Sequence, residues 1–159
     1  MNITILTVGK IKENFYKEAV SEYSKRLSKY CKLNIIEVED EKTAENMSDR
    51  EISLVLEEEG RRLLKYVKPS AYVMALCIEG KKLDSVEFSR KIGELALSGN
   101  PDLCFVIGGS LGLSSEIKKR ADLKLSFSDM TFPHQLMRVI LTEQIYRAFR
   151  IMKNEPYHK

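Results

Sequence analysis

The chain has 159 residues, of which 43% are hydrophobic and 31% charged. This length suits one domain, residues 1–159, and the composition excludes an intrinsically disordered chain. The net charge of +3 conceals a segregation, because residues 33–60 carry −8 and the remainder carries +11. Two solvated helices of opposite sign explain this pattern, and so does a basic surface suited to a polyanion.

Cysteine and histidine are few and scattered. The chain has three widely spaced cysteines, Cys31, Cys77 and Cys104. An odd number of cysteines without close pairs predicts buried thiols in a reducing cytoplasm. His134 and His158 lie far from any cysteine or carboxylate pair at ligand spacing, so we expect no metal site. No signal peptide and no apolar run of roughly 20 residues is found, so we expect a cytoplasmic protein without a membrane partner.

Apolar, β-branched runs alternate with helical patterns along the chain. The predicted strands cover residues 3–8, 33–38, 71–78, 103–107 and 123–127. The predicted helices cover about 13–30, 48–67, 84–99, 114–120 and 133–153, and the third ends near Gly99-Asn100-Pro101. Ser48 with Glu51, and Asp84 with Glu87, have the spacing of capping boxes, which mark two of the helix starts.

This order predicts an α/β fold with a parallel sheet of about five to six strands and helices on both faces. In such sheets ligands bind beyond the carboxyl ends of the strands. The loops after Ile78, Ile107 and Phe127 are therefore the expected place for a site.

A glycine cluster, Gly108-Gly109-Ser110-Leu111-Gly112, follows the fourth predicted strand. It is no P-loop, because no Gly-Lys-Ser/Thr follows, and its glycine spacing does not fit a dinucleotide-binding fingerprint. Two interpretations stay open. One is a tight turn that needs positive φ, and the other is a ligand lying against bare backbone.

The segment from Leu125 to His134 mixes hydroxyl side chains with Phe127, Met130 and Phe132. It can line an apolar pocket that suits an adenine ring, or it can plug the end of the sheet.

The last predicted helix changes its polar face by roughly 150° halfway along. This predicts that its first half turns His134 and Arg138 toward a site, and that its second half packs against a second subunit. Alternatively, His134 caps the helix and Arg138 extends to water. The tail, residues 154–159, is either frayed or docked.

Three segments carry a resemblance to a known family. They are Val106–Ser114 (VIGGSLGLS), Leu125–Ala148 (LSFSDMTFPHQLMRVILTEQIYRA) and Pro156–Lys159 (PYHK). With the opening ITILTVGKIK, they resemble the RlmH family of SPOUT methyltransferases over the whole chain.

The resemblance implies a parallel sheet with a C-terminal trefoil knot and a homodimer with the last helix at its interface. It implies methylation of N3 of a pseudouridine in a 23S ribosomal RNA stem-loop at the subunit interface, using S-adenosylmethionine. The large subunit and the assembled ribosome both remain possible substrates. The implied cofactor-binding residues are Leu76, Gly108, Phe127, Ser128, Asp129, Met130, Thr131 and Phe132.

The candidate catalytic residues are His134, Arg138, Tyr157 and His158. A neutral histidine can accept the N3 proton, and Arg138 can stabilise an anionic base or hold a phosphate. In a dimer, Tyr157 and His158 can complete the partner's site. The alternative is a nucleotide-binding, ribosome-associated module without catalysis, whereas the glycine spacing disfavours a nicotinamide dehydrogenase.

Overall fold

The computed structural model describes residues 1–100 and 102–159, so Pro101 lies outside the described residues. The strands are β1 (Asn2–Val8), β2 (Lys32–Val38), β3 (Tyr72–Lys82), β4 (Asp102–Ile107) and β5 (Leu123–Ser126). The helices are α1 (Asn14–Leu27), α2 (Asp49–Leu64), α3 (Ser85–Leu97), α4 (Ser115–Arg120) and α5 (His134–Met152). Strands and helices alternate throughout, as the sequence predicts.

The strands form one parallel sheet in the order β2-β1-β4-β3-β5. Alternate side chains of β1 enter different cores, since Ile3 and Ile5 belong to one cluster and Leu6 and Val8 to the other. The first cluster includes residues of α1, α3 and α5, and the second includes residues of α2 and α4. The predicted α/β fold with helices on both faces is therefore confirmed.

Both predicted capping boxes form. The Ser48 hydroxyl accepts a hydrogen bond from the Glu51 amide at 3.2 Å, and the Asp84 carboxylate accepts one from the Glu87 amide at 2.7 Å. Each glutamate also accepts a hydrogen bond from the amide of its capping residue, so these helix starts are fixed by local chemistry.

The end of β3 contacts β5 at two places. Leu125 pairs with Leu76 and, after a register shift, with Lys81. A Cβ on Gly80 would lie 2.7 Å from the Leu125 backbone, so only glycine allows this approach. β3 therefore continues four residues beyond its predicted end at Ile78, and it curves around β5. The trefoil knot stays a prediction.

The second half of α5 packs within its own chain. Ile145 is fully buried and Phe149 is almost so, and both belong to the core that α5 shares with α1 and α3. The change of polar face was predicted to indicate a second subunit, and that reason was wrong, because the chain's own core covers these apolar side chains.

Candidate cofactor-binding site

A cavity of about 400 Å³ lies at the carboxyl edge of the sheet. Its walls come from the three loops that follow β3, β4 and β5, and from the start of α5. This volume falls within the range of about 300–1,000 Å³ that is usual for small-molecule sites. The cavity therefore lies at the loops where the sheet topology predicted a site.

Seven of the eight predicted cofactor-binding residues line this cavity. They are Leu76, Gly108, Phe127, Ser128, Met130, Thr131 and Phe132. Asp129 is the exception, because its carboxylate lies 2.5 Å from Lys82 Nζ and its side chain is 79% exposed. Asp129 thus ties the loop after β5 to the end of β3 rather than forming the cavity wall.

The glycine loop is both a tight turn and a cavity wall. A Cβ on Gly108 would lie 2.2 Å from the Gly112 carbonyl oxygen, and Gly112 itself has φ +89°. The chain's own turn therefore requires these glycines, whether or not a ligand approaches. Gly109 faces α2, since a Cβ there would lie 3.4 Å from Glu59 Oε2. The tight turn is therefore confirmed, and a ligand against this backbone stays a prediction.

The loop after β5 is held by short-range hydrogen bonds and one aromatic contact. Ser126 Oγ donates to the Ser128 carbonyl at 3.1 Å, and the Met130 amide donates to Ser128 Oγ at 3.0 Å. Phe127 meets Phe88 edge-on with ring centroids 6.3 Å apart. The loop both covers the end of the sheet and lines the cavity.

His134 lines the cavity with an unsatisfied ring nitrogen. Its Nδ1 is buried and has no hydrogen-bond partner in the part of the chain that the structure describes. Burial lowers the pKa of this imidazole, the charges of Arg138 and Lys12 lower it further, and Asp40 opposes them. His134 is therefore neutral at physiological pH and able to accept a proton.

Arg138 does not line the cavity. Its side chain is 1% exposed, with Nη1 2.9 Å from Glu37 Oε1. Nη2 donates to the carbonyl oxygens of Val8 and Gly9 at 3.0 and 2.7 Å. The alternative that Arg138 extends to water is wrong. This guanidinium instead joins the first turn of α5 to the ends of β1 and β2.

The tail is docked against α5, outside its own chain's cavity. Tyr157 Oη donates to Glu143 Oε1 at 3.0 Å, and its ring meets Tyr146 edge-on at 5.0 Å. The Arg147 guanidinium lies 4.8 Å from the Tyr157 ring centre and within 3.3 Å of His158 Nδ1. The polar face of the second half of α5 therefore holds the tail.

Other cavity residues were not singled out from the sequence. Cys77, Ile78 and Glu79 line it from β3, and Lys118 lines it from α4 with Nζ 2.5 Å from Glu79 Oε1. The position of Ile78 and Glu79 after a buried strand was a usable signal. Nothing in the sequence pointed to Lys118, whose place depends on how α4 packs.

The buried carboxylate of Glu59 was also missed. Its side chain is 4% exposed and lies beneath the glycine loop, where Oε2 accepts a hydrogen bond from the Glu41 amide at 3.2 Å. Burial raises the pKa of this carboxyl group. An acidic run in a helix gives no sign that one of its members is buried.

Two kinds of feature are absent from residues 1–100 and 102–159. No group of three or more His, Cys, Asp or Glu side chains is placed to hold a metal ion. No helix among them has both the length and the apolar character needed to cross a membrane.

Comparison with known proteins assigns this parallel α/β sheet to a family of enzymes. The family model described as predicted SPOUT methyltransferase matches residues 1–158, and the chain belongs to that family. It is 63% identical over 159 residues to the ribosomal RNA large subunit methyltransferase H of Clostridium kluyveri. It is 57% identical to the protein of the same name from Clostridioides difficile. Both alignments cover 100% of each chain.

One solved structure supports the fold. A Legionella pneumophila methyltransferase, solved in complex with the bound cofactor SAM, matches with a TM-score of 0.50 and 12% identity. The match covers 94% of this chain and 66% of that one. At this identity the likeness concerns the fold alone.

Proposed function

We propose that this protein transfers a methyl group from S-adenosylmethionine to ribosomal RNA of the large subunit, at N3 of a pseudouridine. The main support for this proposal is the cavity, whose walls contain seven of the eight residues that the family resemblance assigned to the cofactor. The names of the full-length relatives support the class of substrate.

The cavity fits such a cofactor in its chemistry as well as its size. Leu76, Phe127 and Phe132 supply apolar walls for a flat ring, and the turn at Gly108 leaves backbone groups at the edge. The buried, unpartnered Nδ1 of His134 leaves one polar atom free for a ligand. We infer that these side chains hold the adenosine and methionine parts.

The cofactor supplies an activated methyl group on a sulfonium, which departs as a neutral thioether. The chain's own task is to align the acceptor nitrogen with that methyl group and to remove the N3 proton. We propose that His134 accepts the N3 proton, because it lines the cavity and its lowered pKa keeps it neutral. Both terminal nitrogens of Arg138 are engaged, by Glu37 and by two backbone carbonyls, and the side chain does not line the cavity, so we assign it to positioning His134 rather than to contact with substrate.

We further propose a homodimer. Phe15 is 62% exposed at the start of α1, and half-buried Leu136, Val139 and Ile140 form an apolar stripe along α5, of which Ile140 also contacts the core. The first half of α5 lines the cavity through His134 and Met137, so a second copy on this stripe would lie close to the cavity. Tyr157 and His158 would then complete the partner's site. Because ribosomes are the proposed substrate, we expect the protein in the cytoplasm.

Methyl transfer from labelled S-adenosylmethionine to purified large subunits and to assembled ribosomes tests the activity. Both substrates come from cells that lack this protein. We expect label in the large-subunit RNA, and the ratio between the two preparations identifies the preferred form. Cofactor binding without transfer to either preparation would favour a ribosome-associated module without catalysis.

A further inference from the structure

The mouth of the cavity carries exposed side chains to which no step above assigns a part in recognising the RNA. We propose that RNA enters across the side chains of Ile78, Lys81, Lys118, Lys124 and Met130, called here the entry surface, which holds an unpaired nucleotide and the phosphates beside it. This inference rests on the proposed function and specifies how its substrate is recognised.

The apolar part of the entry surface consists of Ile78 and Met130. Their side chains are 49% and 74% exposed, and both line the cavity, Ile78 from β3 and Met130 from the loop after β5. Large exposed apolar side chains at the mouth of one cavity can flank a base that has left its stack. An enzyme that modifies a base edge needs such an unstacked base, because the target atom is otherwise hidden.

The basic part lies on the neighbouring strands. Lys81 pairs with Leu125, the residue after Lys124, so the two lysines lie on neighbouring strands with their side chains on opposite faces of the sheet's edge. Both lysines are exposed, and neither lies within ion-pair distance of a carboxylate in the residues that the structure describes. These two positive charges are therefore available for phosphates.

Lys118 connects the basic part to the cavity. It donates to Glu79, and this hydrogen bond, together with the charges of Lys118 and Lys124, lowers the pKa of the Glu79 carboxyl group. Lys118 and Lys124 therefore act on the same point of the cavity wall. A phosphate beside Lys124 would lie next to a base that reaches the cavity.

Acidic side chains lie behind the glycine loop, which forms another wall of the cavity. Behind the glycine loop lie the carboxylates of Asp40, Glu41 and Glu59, and Arg62 is already engaged by Glu41 and the Glu39 carbonyl. A polyanion avoids this side and is attracted to the lysines of β3 and β5. Three residues of the acidic stretch thus lie near the glycine loop, whereas Lys118 and Lys124 lie near Glu79 on the wall that β3 forms.

The test compares the double variant Lys81→Gln/Lys124→Gln with the control Lys65→Gln/Lys153→Gln, which removes two exposed lysines elsewhere. Binding of a fluorescein-labelled hairpin RNA with a uridine-rich loop is measured by anisotropy at several salt concentrations. We expect the first variant to bind about tenfold more weakly and to reduce the log–log salt slope by about 1.4, which corresponds to two phosphates of a single strand. The control should stay close to wild type, and both variants should bind S-adenosylmethionine normally in calorimetry.

Ile78→Ser and Met130→Ser should each raise KM for ribosomal RNA by about tenfold, because each change removes apolar surface that would pack against the base. Equal RNA binding and equal salt slopes for both double variants would overturn the entry surface while wild-type methylation leaves the proposed function intact. A change in sedimentation coefficient of the first double variant would also overturn it, because the surface would then be a contact between copies. Failure of wild type to methylate any ribosomal RNA would instead refute the proposed function.

Discussion

The guanidinium of Arg138 lies 2.9 Å from the carboxylate of Glu37 and joins the last helix to an edge strand of the sheet. The same guanidinium satisfies the carbonyl oxygens of Val8 and Gly9 at the end of β1. It fixes the helix turn that carries His134. The sequence predicted that Arg138 turns toward a site, but its buried side chain instead connects α5 to the sheet.

Arg138→Met should lower the free energy of unfolding by about 3 kcal/mol, because it leaves one carboxylate and two backbone carbonyls without their partner. Urea denaturation measures this. The control Arg26→Met removes a surface pair with Glu22, whose side chains are 43% and 54% exposed, and should cost less than about 1 kcal/mol. Equal costs for the two variants would contradict the role of Arg138.

Glu59→Gln should stabilise the protein at pH 7.5. Burial raises the pKa of Glu59, so the folded protein binds its proton more tightly than the unfolded chain. Stability is therefore lost as pH rises from the unfolded pKa of about 4.3 through the raised folded value. Thermal unfolding should show a higher Tm for the variant at pH 7.5 and a shrinking difference toward pH 4. Exposed Glu57→Gln is the control, and a pH-independent difference would contradict the prediction.

Gly80→Ala should be destabilising by about 2 kcal/mol or more, because the new methyl group meets the Leu125 backbone at 2.7 Å. Gly93→Ala is the matched control. Its methyl group meets only the flexible Met152 Sδ at 3.3 Å, and alanine favours the helix by about 1 kcal/mol. In chemical denaturation, the free energy of unfolding should fall for Gly80→Ala and rise for Gly93→Ala. A neutral Gly80→Ala would show that β3 does not curve so tightly around β5.

In the pH profile of methyl transfer, the decline at low pH should report protonation of His134. Its pKa is lowered by burial, so activity should hold through neutral pH and decline only below the ordinary value of about 6.5. His134→Gln should lower kcat by about 100-fold and abolish this decline, whereas His158→Gln should keep it. Loss of the decline in His158→Gln alone would assign the proton to the tail.

Deletion of residues 157–159 should leave cofactor affinity unchanged and reduce methyl transfer. Tyr157 contacts Tyr146 and Glu143 on α5, outside its own chain's cavity. Calorimetry and ribosome methylation measure the two effects, and deletion of Lys159 alone is the control. Weakened cofactor binding would place the tail in its own chain's cavity, and unchanged transfer would remove it from the mechanism.

Local chemistry made the fold largely predictable. The capping boxes at Ser48 and Asp84 and the apolar run before Ile78 depend on neighbours within a few residues, and the structure confirms them. The continuation of β3 was missed because Gly80 looks like a strand end. The distant Leu125 and Ser126 of β5 keep that segment paired.

The cavity was located by topology, and the residues missed around it depend on long-range packing. Arg138 is buried because Glu37, 101 residues away in sequence, and the end of β1 receive its hydrogens. Glu59 is buried because Gly109 folds over it. Neither relationship leaves a pattern in the local sequence.

Mass mapping of large-subunit ribosomal RNA tests the central claim most directly. RNA is taken from cells that lack this protein and from the same cells supplied with wild type or with Gly108→Ala, whose methyl group would meet the Gly112 carbonyl oxygen at 2.2 Å. We predict that one methylated pseudouridine is absent without the protein, returns with wild type and does not return with the variant. An unchanged set of methylated pseudouridines in cells that lack the protein would contradict the account.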